Sequence, residues 1–169
     1  SAPSGSVTLL NRFDRPTTVT AQGRIEGYRQ VETKTLKPDE DTASISLAFT
    51  SAIKAARIRV EVSDQDYEKF TDAAISVYDA SGKAIAQDGL NEPVAELTVN
   101  NPDAEAETAS GKLEIRPAFA EPNLDVSAKF DIRIDYLYAE PVELKVERGG
   151  SSQLTLYPGI AVKLSWSAD

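Results

Sequence analysis

Lys129-Phe130-Asp131-Ile132-Arg133-Ile134-Asp135-Tyr136-Leu137-Tyr138 decides the fold class. Phe130, Ile132, Ile134, Tyr136 and Tyr138 fall on every second position, and Lys129, Asp131, Arg133 and Asp135 fill the gaps. Side chains of a strand alternate between its two faces, so this period of two makes one apolar face and one charged, solvated face.

The same alternation recurs along the chain. Ile58, Val60 and Val62 alternate with Arg57, Arg59 and Glu61; Ile45, Leu47 and Phe49 alternate with Ser44, Ser46 and Ala48. Leu113 and Ile115 alternate with Lys112, Glu114 and Arg116. Val142, Leu144 and Val146 repeat the pattern, as do Val162, Leu164 and Trp166, which puts Trp166 in phase with a buried face. Weaker strands are expected over residues 7–10, 17–22, 24–36, 73–79, 83–87 and 94–99. The polar run 24–36, with Gly27 inside it, reads as an edge strand. Turn chemistry separates these runs at 37–41, Ala80-Ser81-Gly82, Asp88-Gly89, Asn100-Asn101-Pro102-Asp103, Glu121-Pro122-Asn123, Gly149-Gly150 and Pro158-Gly159. Helix is confined to residues 64–70, with Asp64 as the expected N-cap. The acidic, Ala-rich residues 103–109 read as a loop.

Short strands with one apolar face, separated by frequent turns, make an all-β protein: an antiparallel β-sandwich, jelly-roll-like, with at most one short helix. An immunoglobulin-like Greek key is the second topology. Ser1-Ala2-Pro3-Ser4-Gly5-Ser6 reads as a linker or tag remnant, and residues 7–169 as one sandwich domain with a terminal hairpin over 142–167. The absence of a signal peptide and the small-residue start make the chain an expected piece of a longer protein.

The 169 residues include no His, no Cys and no Met. That excludes a Ser-His-Asp triad, a Cys-His pair and a His- or thiolate-bound zinc. A domain of this length buries roughly 70% of its unfolded surface, so its core needs neither disulfide nor metal. The net charge of −9 argues against nucleic acid and against an anionic membrane surface. No run approaches the about 20 apolar residues of a membrane span.

Residues 70–86, Phe-Thr-Asp-Ala-Ala-Ile-Ser-Val-Tyr-Asp-Ala-Ser-Gly-Lys-Ala-Ile-Ala, resemble the strand–turn–strand of bacterial pre-peptidase C-terminal domains. Ile45-Ser46-Leu47-Ala48-Phe49 resembles that family's opening strand, Glu96-Leu97-Thr98-Val99-Asn100-Asn101-Pro102 its strand and polar-Pro turn, and the later alternating runs its closing strands. The likeness spans about residues 36–138. Two features depart from the family: Asp72-Ala73-Ala74 lacks one of its paired acids, and Gly111-Lys112-Leu113-Glu114-Ile115 lacks its closing Tyr. The resemblance implies a non-catalytic, extracellular or cell-surface module of a secreted bacterial peptidase, aiding stability or substrate docking. Its partner would be the parent catalytic domain or another protein.

Carboxylate-rich loops are natural calcium ligands. Asp64, Asp66 and Asp72 gather before one strand and are the candidate calcium ligands; Asp39, Glu40 and Asp41 form a second cluster. The competing reading is that these acids solubilise turns and cap a short helix. A carbohydrate-binding module, the alternative function, needs planar aromatics on an exposed face, for which Tyr28, Tyr67, Tyr78 and Tyr157 are available. A surface-protein assembly domain is the other alternative. Ser51-Ala52-Ile53-Lys54 matches a Ser-x-x-Lys dyad but reads better as a turn between strands. The chain is therefore expected not to be an enzyme.

Overall fold

The computed structural model describes residues 4–20, 22–40, 42–102, 110–121, 125–145 and 153–167. The described elements run β1 (Ser4–Leu10), β2 (Thr17–Thr20), β3 (Gln22–Leu36), β4 (Ala43–Leu47), β5 (Ile53–Glu61), α1 (Asp64–Tyr67), β6 (Phe70–Tyr78), β7 (Ala84–Gly89), β8 (Val94–Asn100), β9 (Gly111–Phe119), β10 (Ala128–Lys145), β11 (Gln153–Leu156) and β12 (Ala161–Ser167). Asp41, residues 103–109, Pro122, Asn123 and Gly149-Gly150 lie outside the described residues, as does the side chain of Trp166.

By internal packing the chain divides into two units, Gly27–Ala139 and Ser1–Glu26 with Glu140–Asp169. The first is the sandwich. Its two four-stranded antiparallel sheets have the orders β3-β10-β5-β8 and β4-β9-β6-β7. Successive strands switch sheets at every step except the β6–β7 hairpin. That order is the jelly roll, the first of the two topologies expected.

The apolar faces read from the sequence form the core between the sheets. Phe130, Ile132, Ile134 and Tyr136 of β10 are all buried, and Ile132 and Ile134 stand opposite Val60 and Ile58 of β5. In the second sheet Ile75 and Val77 of β6 stand opposite Ile115 and Leu113 of β9. Each such side chain contributes roughly 1.5–3 kcal/mol when taken fully out of water. Specific contacts between described residues also tie the sheets together. Phe70 of β6 stacks on Phe130 of β10 with ring centroids 5.8 Å apart. Toward the other end of β10, the Tyr136 hydroxyl accepts the Ala48 N–H at 3.1 Å and donates to Gln30 at 2.8 Å. Burial pushes the Tyr136 phenol up to about 12.

The long polar strand β3 is an edge strand, as expected. A Cβ on its Gly27 would overlap the carbonyl oxygen of Tyr136, so only glycine allows this approach. The resembling hairpin folds as its chemistry dictates. Asp79 Oδ1 accepts the N–H groups of Ser81 and Lys83, both at 2.9 Å, and Gly82 takes φ 84°. Ser51 and Ala52 form the turn before β5.

Several details differ from the sequence reading. The N-cap of α1 is Ser63, not Asp64: its backbone is extended and its hydroxyl accepts the Asp66 N–H at 3.1 Å. Ser4 to Ser6, read as linker, begin β1. Residues 129–138 and 142–146 read as two strands, yet β10 runs from Ala128 through to Lys145. Its pairing with β5 ends at Tyr138 opposite Ile53, so Pro141 lies past the last bond of that ladder.

The second unit holds two ribbons. β12 pairs with β1, Ala161 opposite Leu10, and β11 pairs with β2, Leu156 opposite Thr17. The strands of the expected 142–167 hairpin thus pair with N-terminal strands rather than with each other. Leu154 and Leu156 are its buried apolar side chains among the described residues.

Candidate functional site

The three aspartates expected to hold calcium do not share a site. Asp64 is exposed on the first turn of α1, and Asp72 is exposed on β6 opposite Ala118. Asp66 is engaged at both oxygens: Oδ1 accepts from Lys69 Nζ at 2.5 Å and Oδ2 from the Lys129 N–H at 2.9 Å. Burial would raise its pKa, but the Lys69 and Lys129 hydrogen bonds outweigh it and hold the carboxyl below its ordinary value. Among the described residues no three Asp or Glu side chains stand together as a metal site. A calcium ion would have to displace an ammonium and a backbone donor, so these residues do not fit one.

The aromatic candidates are also spoken for. Tyr28 stacks on Tyr136 at 4.7 Å, Tyr67 packs edge-on to Phe70 at 5.6 Å, and Lys112 lies over Tyr78 at 5.2 Å. Tyr157 is exposed but sits on a turn of the second unit. The described sheet faces therefore present no row of aromatics for stacking on sugar rings.

What the fold does assemble is a charged lattice on the outward face of β3-β10-β5-β8. The pleat turns Arg57, Arg59 and Glu61 of β5 away from the core, and register sets Arg133, Arg59 and Glu96 in one row across three strands. The next row is Asp135, Arg57 and Thr98. Arg59 is held by Glu96 at 2.6 Å and Glu61 at 3.2 Å. Asp135 is held by Arg29 at 2.5 Å and Arg133 at 3.4 Å. The hydrogen bonds to Asp135 and to Glu96 raise the pKa values of Arg29 and Arg59 respectively.

Arg59, Glu96, Arg133 and Asp135 line a shallow groove of ≈ 240 Å³ together with Arg57 and Thr98. Arg57 makes no ion pair or hydrogen bond with any described side chain. Exposed ion pairs contribute only about 0–1 kcal/mol each, so the lattice adds little stability. Its effect is geometric, since it fixes the neighbours of the exposed Arg57 guanidinium.

The alternation marked Arg57, Arg59, Arg133 and Asp135 as outward. It did not bring them together, because the partner strand and its register are not written in either strand alone.

No protein-family model and no curated protein matches the chain. Among solved structures it is similar to the pre-peptidase C-terminal domain of collagenase from Bacillus anthracis, at 12% identity over 65% of this chain and 89% of that one, TM-score 0.44. It is also similar to the Yersinia pseudotuberculosis-derived mitogen, at 10% identity over 78% and 98%, TM-score 0.42. A third is the CBM36-1 domain of a multidomain xylanase from the hindgut metagenome of Trinervitermes trinervoides, at 16% identity over 70% and 96%, TM-score 0.35. At these values the likeness is one of distant β-sandwich architecture.

Proposed function

We propose that this chain is a non-catalytic binding module, carried as an accessory domain by a larger secreted bacterial hydrolase of the peptidase type. Its outward face docks an acidic stretch of the parent catalytic domain or of another protein, outside the cell or at its surface. Nucleic acid and membrane insertion have no part in this reading.

The observation that supports the docking face is Arg57, unpaired among the described residues in a groove whose other charged groups are locked. A guanidinium recognises a carboxylate with two parallel hydrogen bonds. Neighbours already fixed by ion pairs lower the ordering cost of binding. The accessory role is supported by the resembling hairpin, whose Asp79 and Gly82 take up the expected turn.

The test is a titration of a fluorescent oligoglutamate peptide with the chain, read by anisotropy. Saturable binding is expected, weakened by added salt and by Arg57→Gln. No binding, or binding indifferent to Arg57→Gln, overturns the reading. Preference for an uncharged oligosaccharide would favour the carbohydrate-binding alternative instead.

A further inference from the structure

A separate surface lies on the second unit. Between the β1–β12 and β2–β11 ribbons lie residues 11–16 and 157–160, which meet at a single bridge of Asn11 with Pro158. Asn11 ties the two loops together. Its side-chain amide donates to the carbonyls of Leu156 at 2.8 Å and Arg15 at 2.9 Å, and Oδ1 accepts the Phe13 N–H at 2.9 Å. Its backbone carbonyl accepts the Gly159 N–H at 3.2 Å. Asn11 is itself 5% exposed, so the loops are held from beneath.

The side chains they carry are not covered. Among the described residues the exposed large hydrophobics are Val7, Leu10, Phe13, Val31, Tyr157 and Ile160; Phe13, Tyr157 and Ile160 lie in these two segments and Leu10 directly precedes the first. Phe13 is 66% exposed and Ile160 57%. Exposed apolar groups gathered in one place mark a contact surface. Around Phe13 stand Arg12, Asp14 and Arg15, all exposed and without an ion pair among the described residues.

We propose that this loop pair is the contact through which the chain associates with a second copy of itself about a two-fold axis. Such a contact must be self-complementary, because the same patch supplies both sides. Arg12-Phe13-Asp14-Arg15 has that property: with Phe13 near the axis, Asp14 of one copy meets Arg12 or Arg15 of the other. Aromatic and arginine side chains are the groups that concentrate at interface centres. A lipid surface fits less well, since the chain's net charge of −9 opposes approach to anionic headgroups. The contact is independent of the Arg57 groove.

The test is the mass of the chain by sedimentation across a concentration series. The expected mass rises from 18.3 kDa toward twice that value. Phe13→Ser should weaken the dimer roughly tenfold or more, as loss of a central aromatic anchor does. Arg12→Glu/Arg15→Glu makes the loop wholly acidic, and Asp14→Lys makes it wholly basic. Each variant alone should associate more weakly than the parent chain, and an equal mixture of the two should dimerise again. That recovery separates a broken contact from a misfolded variant. A chain that stays at 18.3 kDa throughout, a dimer untouched by Phe13→Ser, or a mixture no better than its components overturns the proposal. So does a monomer that sediments with phosphatidylserine-containing vesicles, which would assign the loops to lipid.

Discussion

Arg57 and Asp135 are direct cross-strand partners on β5 and β10, yet they do not pair. Asp135 is already taken, by Arg29 from β3 at 2.5 Å and by Arg133 two residues earlier on β10 at 3.4 Å. The vacancy at Arg57 is therefore made by a residue that does not line the groove. Arg29→Gln should release Asp135 toward Arg57 and so compete with an incoming carboxylate. The expected result is several-fold weaker binding of oligoglutamate, the scale of one exposed ion pair at about 0–1 kcal/mol. Stability should change little, which thermal unfolding of the same variant checks.

Asp66 gives the acid limb of the stability curve a named contributor. Its folded-state pKa is lowered, so its contribution is fully present above the unfolded-state value of 3.8 and is lost as pH falls through the folded-state value. Asp66→Asn should cost about 1–3 kcal/mol near neutral pH, because the Lys69 ammonium and the Lys129 N–H lose a charged acceptor. The difference from the parent chain should shrink on acidification. It should also be the same in calcium as in EDTA, since both Asp66 oxygens are engaged by Lys69 and Lys129.

Tyr136 acts at the other end of the pH range. Its pKa rises to about 12 from 10.0 because burial disfavours the phenolate. The sign is opposite to that of Asp66: its contribution is intact below pH 10.0 and declines as pH rises toward 12. Tyr136→Phe removes the acceptor of the Ala48 N–H and should cost about 1–3 kcal/mol at neutral pH. Denaturant unfolding at neutral and alkaline pH should show the two chains converging as pH rises.

Two glycines separate strain from collision. At Gly82 an added Cβ meets nothing within 4 Å, so Gly82→Ala should cost only the positive-φ penalty of about 1–2 kcal/mol. At Gly27 the same Cβ overlaps the Tyr136 carbonyl and forces β3 from β10. Gly27→Ala should be the more damaging in urea unfolding. Equal effects would place β3 differently from the arrangement described.

How much of this was legible in the sequence follows from what each feature depends on. Strand identity depends on one segment's own period, and Phe130, Ile132, Ile134 and Tyr136 declared the core before any pairing was known. The Asp79–Gly82 turn was legible for the same reason, because its hydrogen bonds close within five residues. Asp64 misled as an N-cap because Ser63, one residue earlier, offers a hydroxyl with the same reach. The engagement of Asp66 was not legible, because one of its partners, Lys129, lies 63 residues on. The Arg57 groove is a product of register across three strands, and the two-loop surface of Asn11 joins segments separated by 145 residues.

The most direct test of the docking claim is a heteronuclear NMR titration of the chain with oligoglutamate, following arginine side-chain and backbone amide signals. The Arg57 guanidinium and the amides around Arg57, Thr98 and Arg133 should shift together and saturate. Arg57→Gln should abolish those shifts while leaving the rest of the spectrum in place. Shifts confined to other regions, or none, would contradict the assignment of this sheet face as the binding surface.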